Sequence, residues 1–228
     1  MILYAIPTPL GGSPAESLPG PALQVIRSLK DFVVENAKSA RAFLGALDLP
    51  VRELSIKVID EDIDELLLPL REKRPLGLLS EAGCPAIADP GAALVEAAHR
   101  EGFKVVPLIG PSSIVLALMA SGLEGQRFAF CGYLPREAKD RDKRIRELEQ
   151  RSRRERETEI FIETPYRNDG LFAALLATCA PATRLCVAAD LTLPQETVVV
   201  KTVAEWRRHG AGPGKRPAVF LLLSSPTG

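Results

Sequence analysis

LGLLSEAGCPAIADPGAALVEAAHREG, residues 76–102, and VVPLIGPSSIVLALMASG, residues 105–122, decide the fold of this chain. Each runs from an apolar strand through a loop rich in Gly, Pro and Ser into an apolar helix. Short, continuously apolar strands followed by helices imply a parallel sheet covered on its faces. Such sheets bind small ligands at the carboxyl ends of their strands, where glycine lets backbone approach and the next helix leaves N–H groups unpaired. The two loops therefore point to a bound small molecule.

Working outward, Ile2 to Ile6 reads as a first strand, followed by a loop carrying Pro7, Pro9, Gly11, Gly12 and Pro14. Leu23, Ile26 and Leu29 give residues 21–29 helical spacing, 31–35 reads as a strand and 39–47 as a helix. Residues 63–73 form a further predicted helix, and 103–108 a further strand. After Ser121 the pattern changes. Residues 122–126 read as a linker, and a second series follows: RFAFCGY (127–133), TEIFIET (158–164), TRLCVAADL (183–191), ETVVVKT (196–202) and PAVFLLLSS (217–225). The short loop around Pro194 makes its two flanking strands antiparallel neighbours, hence a mixed sheet. Two α/β domains are expected, residues 1–121 and 122–228.

The composition is that of an ordinary globular protein, with 228 residues, 46% hydrophobic and 25% charged. Lys plus Arg and Asp plus Glu are equal at 29, so no global basic field draws the chain onto nucleic acid. The longest purely apolar run, Ile114 to Ala120, falls far short of the ~20 residues of a membrane span. MILYAIPTPLGG lacks a basic leader region and breaks at Pro7, so a cytoplasmic protein is expected. Cys84, Cys131, Cys179 and Cys186 form no C-x-x-C pair, and His99 and His209 fall in charged helical stretches. That is poor material for zinc or a Cys–His nucleophile, and no metal is expected.

Residues 136–158 hold ten Lys/Arg against seven Asp/Glu. This stretch reads either as a solvated helix laced with pairs such as Glu147 with Arg151, or as an RNA phosphate contact built on Arg151, Arg153, Arg154 and Arg156. The P-loop, G-x-G-x-x-G and G-x-S-x-G motifs are all absent. The remaining proline-rich loops suit a ligand held by backbone groups and apolar walls. S-adenosylmethionine fits that description, because its methyl group is already activated and transfer depends on positioning the acceptor.

At these loops the chain resembles the tetrapyrrole methylase superfamily of S-adenosylmethionine-dependent methyltransferases, in particular its branch acting on a ribose 2′-hydroxyl of small-subunit ribosomal RNA. The carriers are Leu3 to Gly11 (LYAIPTPLG), Leu79 to Gly91 (LSEAGCPAIADPG), Gly110-Pro111-Ser112-Ser113, Ala120 to Leu123, Arg127-Phe128, Gly132 to Arg136 (GYLPR) and Glu163 to Arg167 (ETPYR). Their order and spacing across nearly the whole chain make the likeness specific. It implies a Rossmann-like N-terminal domain, a mixed-sheet α/β C-terminal domain, and S-adenosylmethionine held in a cleft between them. Gly83-Cys84-Pro85 stands where the superfamily often has Gly-Asp-Pro, facing the methionine part. Pro9, Ser80, Ile87, Ser112, Ser113, Leu134, Thr164, Pro217 and Ala218 complete the implied cofactor contacts. Ser112 and Ser113 also read as helix N-caps after Pro111. A homodimer is implied as well.

The chain departs from that pattern on the acceptor side. Where relatives typically read Ala-Glu-Asp-Thr-Arg, this chain has Val34-Glu35-Asn36-Ala37-Lys38. A later Arg-Glu-Leu-Thr-Lys followed by His-Glu-Glu is replaced by Ala189 to Thr197, which lacks that Arg and that His. The readings that follow are retained cofactor binding with an RNA ribose as acceptor, transfer to a small tetrapyrrole-like heterocycle, or a binder that has lost transfer. An unrelated α/β enzyme for a phosphorylated metabolite would need a phosphate-binding cluster that the sequence lacks. Glu35 and Lys38 are the candidates beside the acceptor, with Glu35 as base or orienting carboxylate, or else as a surface acid ending a strand. Glu163 and Arg167 are expected to line the cleft from the second domain, and Asp89 to cap the helix after Gly91.

Overall fold

The computed structural model describes residues 1–224. In chain order the first half forms β1 (Ile2–Ile6), α1 (Pro14–Ser17), α2 (Gly20–Ser28), β2 (Asp31–Val34), α3 (Ala37–Gly45), β3 (Ser55–Val58), α4 (Ile63–Leu66), α5 (Leu68–Arg71), β4 (Leu76–Leu79), α6 (Ala92–Arg100) and β5 (Lys104–Pro107). The second half forms α7 (Ser113–Ser121), β6 (Phe128–Tyr133), α8 (Ala138–Glu155), β7 (Thr158–Ile162), α9 (Asn168–Thr178), β8 (Arg184–Ala189), β9 (Thr197–Thr202), α10 (Val203–His209) and β10 (Ala218–Leu223).

The first sheet has the order β3-β2-β4-β1-β5, with every pairing parallel. Both β2 and β4 are buried at every position, as strands covered on both faces must be. Ile6, Ile26, Phe32 and Leu44 anchor the core on one face; Leu3, Leu66, Leu78 and Leu94 anchor it on the other. Gly77 allows that packing, since a Cβ there would lie 2.8 Å from both Ile6 and Phe32. All loops that follow these parallel strands leave from one edge of the sheet, which is why residues distant in sequence gather there.

The second sheet runs β6-β7-β10-β8-β9, with β6 and β7 parallel and the other pairings antiparallel. It is the expected mixed sheet, including the β8–β9 antiparallel pair. Phe161 and Phe220 stack in its core at 6.1 Å, and Trp206 meets Phe172 edge-on at 5.2 Å.

The chain divides into two compact units, Met1–Ser112 and Ser113–Gly228. This division falls before α7, whereas the sequence places a boundary after it. The helix packs against β8, β9 and β10 of the second sheet, so it groups with that unit. Strand β3 escaped the sequence reading because SIKV is short and mostly half-exposed. The single helix predicted over 63–73 is two short helices, and Pro69 sits in the first turn of the second.

Residues 136–158 do contain a long helix, α8, but its charges are not those of a uniformly solvated rod. Ile145, Leu148 and Ser152 form a buried stripe at helical spacing. Arg151 does not pair with Glu147, which instead meets Arg144 at 3.3 Å. It reaches Glu159 on β7, whose side chain is fully buried, and Glu157 at 3.3 Å. A buried carboxylate left without its cation is strongly destabilising. Arg151→Ala is therefore expected to cost about 3 kcal/mol, whereas Glu147→Ala at the exposed pair should cost at most about 0.5 kcal/mol. Urea unfolding monitored by circular dichroism checks both, and equal effects would refute the assignment.

Candidate functional site

The loop after β1 and the loop after β4 are tied together by two backbone hydrogen bonds. Thr8 N–H donates to the Gly83 carbonyl at 2.9 Å, and Gly83 N–H donates to the Thr8 carbonyl at 3.0 Å. Thr8 Oγ1 donates to the Ser80 carbonyl at 3.3 Å, and Ser80 Oγ to the Gly83 carbonyl at 3.0 Å. Gly83 has φ +81°, and a Cβ there would come within 3.3 Å of Leu10. Only glycine takes that backbone conformation without cost. The Cys84 thiol contacts the Pro111 carbonyl at 3.4 Å, drawing in the loop after β5 next to Ser112.

Within the first unit the expected cofactor residues Pro9, Ser80, Gly83, Cys84 and Ser112 thus belong to three mutually bonded loops at the carboxyl edge of the parallel sheet. Pro85 is buried in the same loop, and Ile87 projects into solvent. Burial pushes the Cys84 thiol up from its ordinary value, which favours the thiol over the thiolate. Beside these loops lies a cleft of about 340 Å³, lined by Thr8, Pro9, Leu10, Ser39, Phe43 and Ser80 among others. Ser39 and Thr8 were not singled out from the sequence. The available signals were that Thr8 directly follows β1 and that Ser39 lies in the first turn of a helix after β2.

Glu35 and Lys38 flank the start of α3. Glu35 is half-buried and accepts the Glu81 N–H at 3.3 Å, whereas Lys38 is exposed. Asn36 caps α3 by accepting from Lys38 N–H at 2.9 Å and Ser39 N–H at 3.4 Å. The Asn36 amide thus caps α3, so the helix start is satisfied by the residue this chain carries there. The Ser39 hydroxyl bonds to Glu81, joining α3 to the loop after β4.

Asp89 does not cap the following helix. Gly91 occupies the cap position of α6, with no side-chain hydrogen bond. Burial, and then the charges of Glu35 and Glu81, raise the Asp89 carboxyl to about 6. Three carboxylates thus act on one another at this sheet edge.

In the second unit, register brings the other expected residues to one end of the sheet. Tyr133 pairs with Ile162 and Ile162 with Val219, so Leu134, Thr164 and Pro217-Ala218 follow or precede adjacent strand ends. Leu134 and Ala218 are buried in the core cluster, which leaves their backbones for any ligand contact. Thr164 is exposed, and Ser113 is the first residue of α7. Glu163 and Arg167 are joined in an ion pair, and Glu163 Oε1 also accepts the Thr164 N–H at 2.6 Å. That pair holds the turn Pro165–Arg167. Among the described residues no group of three or more His, Cys, Asp or Glu side chains is placed to hold a metal ion. None of their helices is long and apolar enough to cross a membrane.

Residues 15–206 match the family model "Tetrapyrrole (Corrin/Porphyrin) Methylases". The chain is 32% identical to the ribosomal RNA small subunit methyltransferase I of Vibrio cholerae over 90% of its own length and 69% of that protein's. It is 31% identical to the Halalkalibacterium halodurans protein of the same name, over 99% of this chain and 76% of that one. Among solved structures, the methyltransferase CobJ superposes with a TM-score of 0.65 at 18% identity, covering 100% of this chain and 95% of that one, which supports the fold alone. With its parallel sheet, mixed sheet and paired loops, the chain belongs to the tetrapyrrole methylase family.

Proposed function

We propose that this methyltransferase uses S-adenosylmethionine to methylate RNA, with a ribose 2′-hydroxyl as the acceptor. The observation that carries the reading is the bonded set of loops around Gly83, within a chain about one third identical to proteins named for ribosomal RNA methylation. The residues present fit the cofactor. Gly83 holds a left-handed turn that a side chain would strain, and Thr8, Pro9, Leu10 and Ser80 give the adjoining cleft mixed polar and apolar walls. Ser80, Gly83, Cys84, Pro85, Ile87 and Ser112 would contact it from the first unit. Ser113, Leu134, Thr164, Pro217 and Ala218 are its proposed contacts in the second.

When bound, the cofactor supplies a methyl group on a sulfonium, already activated for displacement by an oxygen nucleophile. The chain's task is to hold the acceptor oxygen in line and to receive the hydroxyl proton as the C–O bond forms. Glu35 is the proposed proton acceptor or orienting carboxylate, half-buried at the end of β2. Lys38, the second residue of α3, supplies positive charge toward an acceptor phosphate. Arg167, held by Glu163, is the corresponding group on the second unit. A homodimer is also proposed, on the uncharged helix α7 with Met119 exposed, and so is a cytoplasmic location.

Calorimetry is expected to show saturable heat with S-adenosylmethionine and none with a nicotinamide dinucleotide; the reverse would sink the reading. Tritium from labelled cofactor should appear in small ribosomal subunits that lack the modification, while binding without transfer would identify a binder. Gly83→Ala should weaken cofactor affinity about tenfold, because the new side chain disfavours the left-handed backbone.

Asp89 makes a separate prediction about pH. Its carboxyl binds a proton more tightly in the folded chain than in the unfolded one, so stability contributed by this group falls as pH rises from 3.8 through about 6. Asp89→Asn is expected to flatten the stability profile in that window. An unchanged slope by thermal melting would remove Asp89 from the cluster.

A further inference from the structure

A cavity of about 230 Å³ opens beside β9, the edge strand of the second sheet, and runs along it from Thr197 and Arg216, next to Pro217, to Lys201 and His209. Its apolar wall is Val187, Val199 and Trp206, and three basic side chains, Lys201, His209 and Arg216, stand around it. Lys201 Nζ lies 4.9 Å from the Trp206 ring centroid and donates to the His209 carbonyl at 3.2 Å. Arg216 is fixed on two sides, with Nε donating to the Pro213 carbonyl at 3.0 Å and Nη1 to Thr197 Oγ1 at 3.1 Å. Lys201 and Arg216 are therefore held in place by the fold, with the exposed His209 beside them.

The surrounding segment is basic as well. Residues 201–216 contain five Lys/Arg (201, 207, 208, 215 and 216) and one acid, Glu205. Glu205 is committed to the cap of α10, bonding Thr202 through its backbone and hydroxyl. Among the described residues the only ion pair of this segment joins Arg216 to Asp190, at 3.5 Å. On α8 more of the arginines are paired. Arg144, Arg151 and Arg154 each pair with a carboxylate of the chain itself.

We propose that the cavity of Lys201, His209 and Arg216 is a phosphate subsite for the backbone of an RNA acceptor. It rests on the RNA reading above for the identity of the ligand, and on the cavity alone for its anion chemistry. A phosphodiester brings a charge that Lys201 and the Arg216 guanidinium can satisfy together, and its sugar can lie on the apolar wall. The basic residues of α10 and the adjoining loop would track the neighbouring phosphates.

Two measurements on the full chain test this. The protein has two histidines, and His99 lies on α6 of the first unit. Titration with inorganic pyrophosphate should move the His209 imidazole resonances saturably and leave those of His99 in place, and Lys201→Gln should abolish the saturation. A stationary His209, or a shift unchanged in Lys201→Gln, overturns the subsite. Lys201→Gln is preferred to Arg216→Gln, which strands the buried Asp190 and risks misfolding. In the second measurement, affinity for a single-stranded RNA is followed against salt. Lys201→Gln should lower the slope by about 0.7, one phosphate contact, and weaken binding roughly three- to tenfold, with Arg154→Gln unchanged. Equal slopes for wild type and Lys201→Gln overturn the RNA contact. A silent His209 alongside methyl transfer to RNA defeats the subsite and leaves the function standing. A saturable His209 shift with no transfer to RNA defeats the function and leaves an anion site.

Discussion

The pair of backbone hydrogen bonds between Thr8 and Gly83 is the constraint on which the candidate site depends. Parallel strands β1 and β4 are neighbours, but adjacency alone does not bring the loops beyond them into a common surface. The short antiparallel bridge does so, and it works only because Gly83 takes a positive φ. Ser80 reinforces it from below through the same carbonyl, and Cys84 carries the connection on to Pro111. Three loops separated by up to a hundred residues thus become one bonded edge. The surface is made largely of backbone, which suits a ligand recognised by shape and by amide groups.

The second sheet achieves a similar convergence by different means. Its first pair is parallel and its centre antiparallel, so the ends of β6 and β7 meet the beginning of β10 and the end of β8. The N–H of Asp190 bonds to the Pro217 carbonyl at 3.0 Å, closing that end of the sheet. Glu163, buried and bonded to Arg167, fixes the turn that follows β7. Charge here serves to set backbone geometry. Two further segments are organised in this way: Asn36 caps α3, and residues 190–196 turn between β8 and β9 with the Glu196 carboxylate accepting the Thr192 N–H at 2.7 Å.

What the sequence reveals of this protein follows from the range of each interaction. Strands buried on both faces, such as Leu76–Leu79, announce themselves as apolar runs, and the β8–β9 pair is readable from the short loop between two such runs. Strand β3, an edge strand with partly exposed positions, has no such signature. Asp89 was misread as a cap because Asp-Pro-Gly before a helix carries the local signal for one. Its environment is set first by burial and then by Glu35 and Glu81, one of them 54 residues away, and no local pattern encodes that. The boundary around α7 depends likewise on where an apolar helix packs, which its own sequence does not specify.

The same argument decides how the charge on this neutral chain is to be read. Arg151 sits in the densest basic run of the sequence, yet its guanidinium is occupied by Glu159, a residue on a neighbouring strand that composition cannot associate with it. Local density of arginine therefore overstates the field that an approaching polyanion would meet along α8. Residues 201–216 look less conspicuous, with three glycines, a proline and a tryptophan among their charges. Their one acid caps α10 at the surface, where its charge acts on Arg208 and Lys201, while Asp190 pairs with Arg216. A charge count treats Glu159 and Glu205 alike. Folding gives the first to an arginine and the second to a helix terminus, a distinction that composition does not carry.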